Sequence, residues 1–216
     1  DAVAGDERVS AWAELETAPP LETPIVPRPQ GAWSLGEGSP TPAEIIIDAN
    51  IASTELRLLL NSANPRSLPG MLAAVGYSID LEPTYDGKPG NGQMQVLFHQ
   101  IGGSPILLEL GDGTLSEVEL PTGLVSFDQL GDEGYVLLVE PGDANGLVTV
   151  VSANTPEGLY RGGMALLDLL VTQDLSAPLE TIDHQIILDY PDHGVRGWYN
   201  NGHTATAAAS GDQLSA

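Results

Sequence analysis

Cysteine is absent from this chain, and lysine occurs once, at Lys88. The other strongly basic side chains are Arg8, Arg28, Arg57, Arg66, Arg161 and Arg196. Without cysteine there is no disulfide framework, no thiolate metal site and no cysteine nucleophile. Seven Lys+Arg against 30 Asp+Glu leave a formal charge of −23. That balance excludes a nucleic-acid binder working by counterion release, which needs a basic face. It also opposes docking on anionic lipid. No apolar run approaches the ~20 residues of a membrane span. Aromatic residues are scarce, at 5%.

What is present is an ordinary globular composition. Hydrophobic residues make up 42% of 216 positions, enough for one domain with a real core plus tails. The acidic residues are spread along the chain. They read either as a solvated surface that resists aggregation or as adaptation to a salty exterior, where screening relieves self-repulsion. The sequence opens at Asp1 without methionine or an apolar signal segment, as a chain does once a leader has been removed or its start trimmed. Together with the charge, this gives an extracellular or periplasmic expectation.

Residues 1–23 read as an acidic arm, with a short helix around Val9–Leu15 and Trp12 as its anchor. Residues 24–42 carry Pro24, Pro27, Pro29, Pro40 and Pro42 and are extended, unfit for a central strand. Strands are expected at Glu44–Asp48, Tyr77–Leu81, Gln95–His99, Ile106–Leu110, Gln185–Leu188 and Val195–Tyr199. Ser53 or Thr54 caps a helix through Leu60, and Pro69–Val75 forms a helical turn closed by Gly76. Residues 85–93, with three glycines, form a loop. Gly134–Glu140 and Leu147–Ser152 flank a turn-forming sextet and read as an antiparallel hairpin. Thr155, Pro156 and Glu157 then start a helix that runs to about Val171. Gly162-Gly163 inside it costs ~1 kcal/mol per glycine against alanine. A close helix–sheet contact would explain that cost. The tail at 200–216 is small-residue and aperiodic, and reads as flexible.

Residues 134–199 also follow a recognisable order. GYVLLVEPGDANGLVTVVSAN leads into TPEGLYRGGMALLDLL and then IILDYPDHGVRGW. This resembles the non-catalytic N-terminal α+β domain of β-N-acetylhexosaminidases of glycoside hydrolase families 20 and 84. Ala153-Asn154-Thr155 matches the turn after the family hairpin. Gly158 to Leu170 matches the family helix, and Asp189-Tyr190-Pro191 with Arg196-Gly197 matches the stretch that opens the first barrel strand. Ile25-Val26-Pro27-Arg28-Pro29-Gln30 matches the domain's opening strand. The resemblance spans roughly 24–199 and implies an α+β fold: a mostly antiparallel sheet, helices packed on one face, and an extended proline-rich N-terminal arm. It implies a role in buttressing a catalytic barrel, and a sugar contact through Arg196, whose guanidinium fork suits vicinal hydroxyls. The chain departs from the family after Gly197. Trp198-Tyr199-Asn200-Asn201-Gly202-His203 stands where an aspartate and an Arg-His pair are usual. The catalytic barrel, ~250 residues, is not in this sequence.

Other constellations have plainer readings. Asp189, Asp192, His193 and His184 suggest a carboxylate–imidazole metal site, but no ligand spacing supports one, and a polar domain boundary explains them. Asp143–Gly146 and Gly111–Gly113 lack the calcium-loop pattern and read as turns. Glu117 and Glu119 alternate on one strand and fit a charged edge better than a glycosidase pair. No G-x-S-x-G elbow marks a nucleophile, and Ser152, Ser176 and Ser210 carry no local argument. Trp198 and Tyr199 are candidates for stacking on a sugar, as are Trp12 and Trp33, with packing as the alternative.

The sequence therefore points to a non-catalytic, secreted domain acting in structural support, carbohydrate binding or assembly. The alternative is a fragment of an N-acetylhexosaminidase whose barrel lies beyond residue 216. The candidate binding residues are Arg196, Trp198 and Tyr199. No catalytic residue, metal or cofactor is implied. The expected partners are a carbohydrate, or further copies of the chain joined in an oligomer or filament through arm, tail or edge strand. Neither nucleic acid nor a membrane span is expected.

Overall fold

The computed structural model describes residues 25, 29–48, 53–82, 88–101, 107–109, 115–117, 127–142, 146–172 and 176–190. The acidic arm, the strand expected at 195–199 and the tail lie outside these residues.

Eleven strands and three helices follow in chain order among the described residues. They are β1 (Gly31–Ser34), β2 (Ser39–Pro40), β3 (Glu44–Asp48), α1 (Thr54–Leu59), α2 (Leu68–Ala74), β4 (Ser78–Glu82) and β5 (Gln93–Gln100). After them come β6 (Leu107–Glu109), β7 (Leu115–Glu117), a 3₁₀ turn (Phe127–Leu130), β8 (Tyr135–Pro141), β9 (Leu147–Ala153), α3 (Pro156–Leu170), β10 (Thr181–Ile182) and β11 (Gln185–Asp189). Seven strands form one sheet in the order β1-β11-β8-β9-β5-β3-β4. The strands β6 and β7 pair separately, as do β10 and β2.

Over all described pairings the arrangement is mostly antiparallel, as the resemblance implied. The pairs β1–β11, β11–β8, β8–β9, β10–β2 and β6–β7 are antiparallel. The pairs β9–β5, β5–β3 and β3–β4 are parallel, so the large sheet divides evenly at β9. Connections explain the division. A tight hairpin joins β8 to β9 and forces an antiparallel pair. The segment holding α1 and α2 carries the chain from the end of β3 back to the start of β4, which makes that pair parallel.

The helix starts follow their caps. The side chain of Ser53 accepts from Leu56 N, that of Ser67 from Gly70 N, and that of Thr155 from Gly158 N. The first cap is thus Ser53, of the two serine and threonine options. Gly76 ends the second helical segment at φ 113°, where a Cβ is strained.

Helix α3 lies on the sheet with Leu159, Leu166 and Leu170 buried. Its two central glycines are the close contact that the sequence implied. A Cβ on Gly162 would overlap Val151 Cγ1 of β9 and stand 3.2 Å from Tyr135 Cγ of β8. A Cβ on Gly163 would meet Leu59 Cδ2 of α1 at 2.6 Å. The propensity cost thus permits the helix to approach the seam between β8 and β9. Tyr77 closes the layer below by donating from its hydroxyl to Leu170 O at 2.6 Å.

Strand β1 was not foreseen as a hydrogen-bonded element within the proline-rich stretch. It fits there because it is an edge strand, paired on one side only, with β11. Strand β5 runs two residues earlier than expected, because Gln93 is already in register with Glu44.

Candidate functional site

Arg196, Trp198 and Tyr199 lie outside the described residues, so the site is built from what leads to them. Strand β11 has every residue buried and sits between β1 and β8. It runs to Asp189 and Tyr190, and Gln30 donates from Nε2 to Tyr190 O at 3.4 Å. The segment bearing Arg196 therefore departs from the end of a strand held on both sides.

The same strand separates two members of the supposed metal cluster. Asp189 ends β11 and His184 precedes its start, ~16 Å apart along an extended chain. Asp189 is buried at that end, while His184 bonds Ser39 at the other. Asp192 and His193 are outside the described residues. Among the described residues, no group of three His, Asp or Glu side chains is placed to hold a metal ion.

Trp33 is only 6% exposed and its ring lies over Gly31 on its own strand. It packs with Leu130, Val136, Ile186 and Leu188 on the sheet side opposite the helices. Trp33 is thus a core residue, and its reading as a sugar platform is withdrawn.

Charge is unevenly distributed. Arg161 bridges Glu133 and Glu157, both at 3.1 Å, at the start of α3. On the side of the sheet away from the helices, Glu44, Asp48 and Asp80 share one face by register. Glu44 Oε2 accepts from Gln93 Nε2 at 2.6 Å, and Gln93 Oε1 accepts from Gly90 N at 2.8 Å. Burial pushes the Tyr77 hydroxyl well above the ordinary tyrosine range. Burial also lowers the pKa of His184, against the opposing pull of the Asp183 charge.

The helix layer presents apolar groups outward. Leu58 on α1 is 62% exposed and Tyr160 on α3 is 37% exposed. Met71, Val75 and Met164 are half-buried on the same layer.

One pair was invisible in the sequence. Ser39 Oγ and His184 Nε2 stand 2.8 Å apart although 145 positions separate them. No spacing rule reaches across that interval; only the pairing of β2 with β10 brings them together.

No protein-family model matches the chain, and no curated protein matches it. Solved structures do match. The Streptomyces plicatus N-acetyl-beta-hexosaminidase is 18% identical, with 83% of this chain and 28% of that chain covered and a TM-score of 0.47. The Flavobacterium johnsoniae chitobiase is 18% identical over 79% of this chain and 21% of that chain, with a TM-score of 0.42. The protein CpGH84D is 15% identical over 82% of this chain and 25% of that chain, with a TM-score of 0.47. The chain is therefore similar in structure to a part of family 20 and family 84 glycoside hydrolases, and it spans less than a third of their length.

Proposed function

We propose that this chain is a non-catalytic, secreted accessory domain of the glycoside hydrolase type. It supports a neighbouring unit through the outer side of its helix layer and offers a sugar contact through Arg196. The observation that carries the reading is the pair of apolar side chains left exposed on that layer, Leu58 on α1 and Tyr160 on α3. The helices already bury their inner sides against the sheet. A neighbouring surface that covers Leu58 and Tyr160 removes their apolar area from water, which favours the contact. The resemblance of residues 24–199 supports the same reading, since the matching domain buttresses a barrel. The sugar contact rests on Arg196, which matches the arginine of the family's R-G pair and can give two charge-assisted bonds to hydroxyls.

The test has two parts. The purified chain should release no 4-nitrophenol from 4-nitrophenyl N-acetyl-β-D-glucosaminide, and turnover by the chain alone would overturn the reading. The intact mass of the polypeptide from its natural source then fixes the neighbour. A mass near 22.6 kDa makes the neighbour a separate molecule. A mass larger by ~250 residues makes it a barrel on the same polypeptide. In that longer protein, Arg196→Ala should raise KM for the aryl glycoside.

A further inference from the structure

Strands β2 and β10 form a two-residue ribbon, with Ser39 opposite Ile182 and Pro40 opposite Thr181. The bond from Leu35 N to His184 O, 2.7 Å, ties this ribbon to the β1–β11 pair. The chain thus folds Ser39 against His184, and the hydroxyl and the imidazole nitrogen meet at 2.8 Å. Both side chains are half-buried at the sheet margin, so a small molecule reaches them. A third group lies beside them. A Cβ on Gly38 would stand 2.9 Å from Asp183 Oδ1, which puts that carboxylate against the backbone just before Ser39.

We propose that Ser39 is a nucleophile and His184 its general base, forming an acyl-accepting site for small activated carboxylic esters. A hydroxyl within hydrogen-bond reach of an imidazole is the pair that activates serine. The parts have distinct tasks. Burial lowers the pKa of His184, which favours the neutral imidazole that accepts a proton. The Asp183 charge favours the imidazolium once it forms. In the first step, a bond forms from Ser39 Oγ to the ester carbonyl carbon and the bond to the alcohol oxygen breaks. The hydroxyl proton passes to His184 Nε2, and the leaving group departs as an aryl oxide. In the second step, water attacks the acyl carbon, the bond to Ser39 Oγ breaks, and the proton held by His184 returns to that oxygen. The carboxylate and both protons of the attacking water are released. This site does not depend on the accessory-domain reading, in which non-catalytic means without glycosidase turnover.

The test uses the full chain and 4-nitrophenyl acetate, with acetyl groups located by peptide mass mapping. Mapping separates Ser39 from Lys88 and the α-amino group, which also react. The expected result is acetylation at Ser39, roughly 100-fold slower in His184→Gln and absent at that peptide in Ser39→Ala. Its rate in the wild-type chain should climb with pH and level off below the ordinary imidazole pKa. No acetyl group on Ser39, or an unchanged rate in His184→Gln, would overturn the proposal. If His184→Gln fails to fold, the wild-type pH profile decides. A rate that stays flat from well below the ordinary imidazole pKa upward removes His184 from the reaction.

Discussion

Strands β1, β11, β8 and β9 pair antiparallel and bury most of both sides, whereas β3 and β4 pair parallel and leave one side partly open to water. The usual association is the reverse: parallel strands are buried on both faces, and antiparallel strands often face water on one. Strand β11 is buried throughout, while β3 alternates between buried and half-buried positions. The helices lie on one face and do not cause the difference. It arises on the opposite face. Over the antiparallel half, Trp33, Leu130, Val136, Ile186 and Leu188 form a second, smaller core. Over the parallel half, the same face carries Glu44, Asp48, Asp80 and the exposed His99. Pairing direction follows from the connections, and coverage follows from the side-chain pattern. Either can change without the other.

The sharpest way to break this comparison is to truncate one residue of that face in each half. Leu188→Ala should cost about 3 kcal/mol, since the site is fully buried. Ile46→Ala, half-buried in β3, should cost under about 1 kcal/mol on transfer grounds alone. Denaturant titration of both variants measures the gap. Equal losses would mean that the second core adds nothing beyond local burial.

The seam between the halves comes next. Gly162→Ala should destabilise by about 2 kcal/mol, because the new methyl meets the stiff Val151 side chain. Gly163→Ala should be close to neutral. Its methyl meets the end of the Leu59 side chain and the rim of the Phe98 ring at 3.1 Å, and the ~1 kcal/mol of helix propensity gained offsets that crowding. A reversed order in thermal melts would place the tight contact on the α1 side instead.

Two smaller effects test polar groups inside the shared core. Thr149 Oγ1 in β9 is buried without a hydrogen-bond partner, so Thr149→Val should stabilise by about 1 kcal/mol. Tyr77→Phe should cost about 1 kcal/mol, since Leu170 O keeps its bond from Leu179 N. Tyr77 and His184 also bracket the pH range of stability. The pKa of Tyr77 is raised on folding, so its contribution is full below the ordinary tyrosine range and is lost as pH rises above it. The pKa of His184 is lowered, so its contribution is full above the ordinary imidazole value and is lost as pH falls below it. Thermal melts across pH should therefore show a plateau. Tyr77→Phe should extend it on the alkaline side, and His184→Gln on the acid side.

Legibility followed the same division. The β8–β9 hairpin and α3 were readable because their signals are local: a turn sextet between apolar runs, then Thr155-Pro156-Glu157. The strand Glu44–Asp48 was readable for the same reason. Its neighbours were also expected as strands, at Tyr77–Leu81 and Gln95–His99, but their parallel pairing with it was not, because register between β3, β4 and β5 depends on contacts across 30 residues or more. The burial of Trp33 was left open, since an edge strand amid prolines carries no periodicity to reveal its inner side. Ser39 and His184 were beyond any sequence rule. Arg196 stood out only through its resemblance to a family motif.

The position of β11 bears on how the chain comes to be folded during synthesis. Gly31 in β1 is matched with Leu188 in β11, and β11 also supplies the partner that completes β8. On a ribosome the residues from β3 to α3 emerge and can pack while β1 still waits with no strand beside it. The last strand of the sheet must slide between one made first and one made late. A nascent chain halted before Gln185 would hold two open edges at once, on β1 and on β8, and would meet the cell as a half-closed sheet.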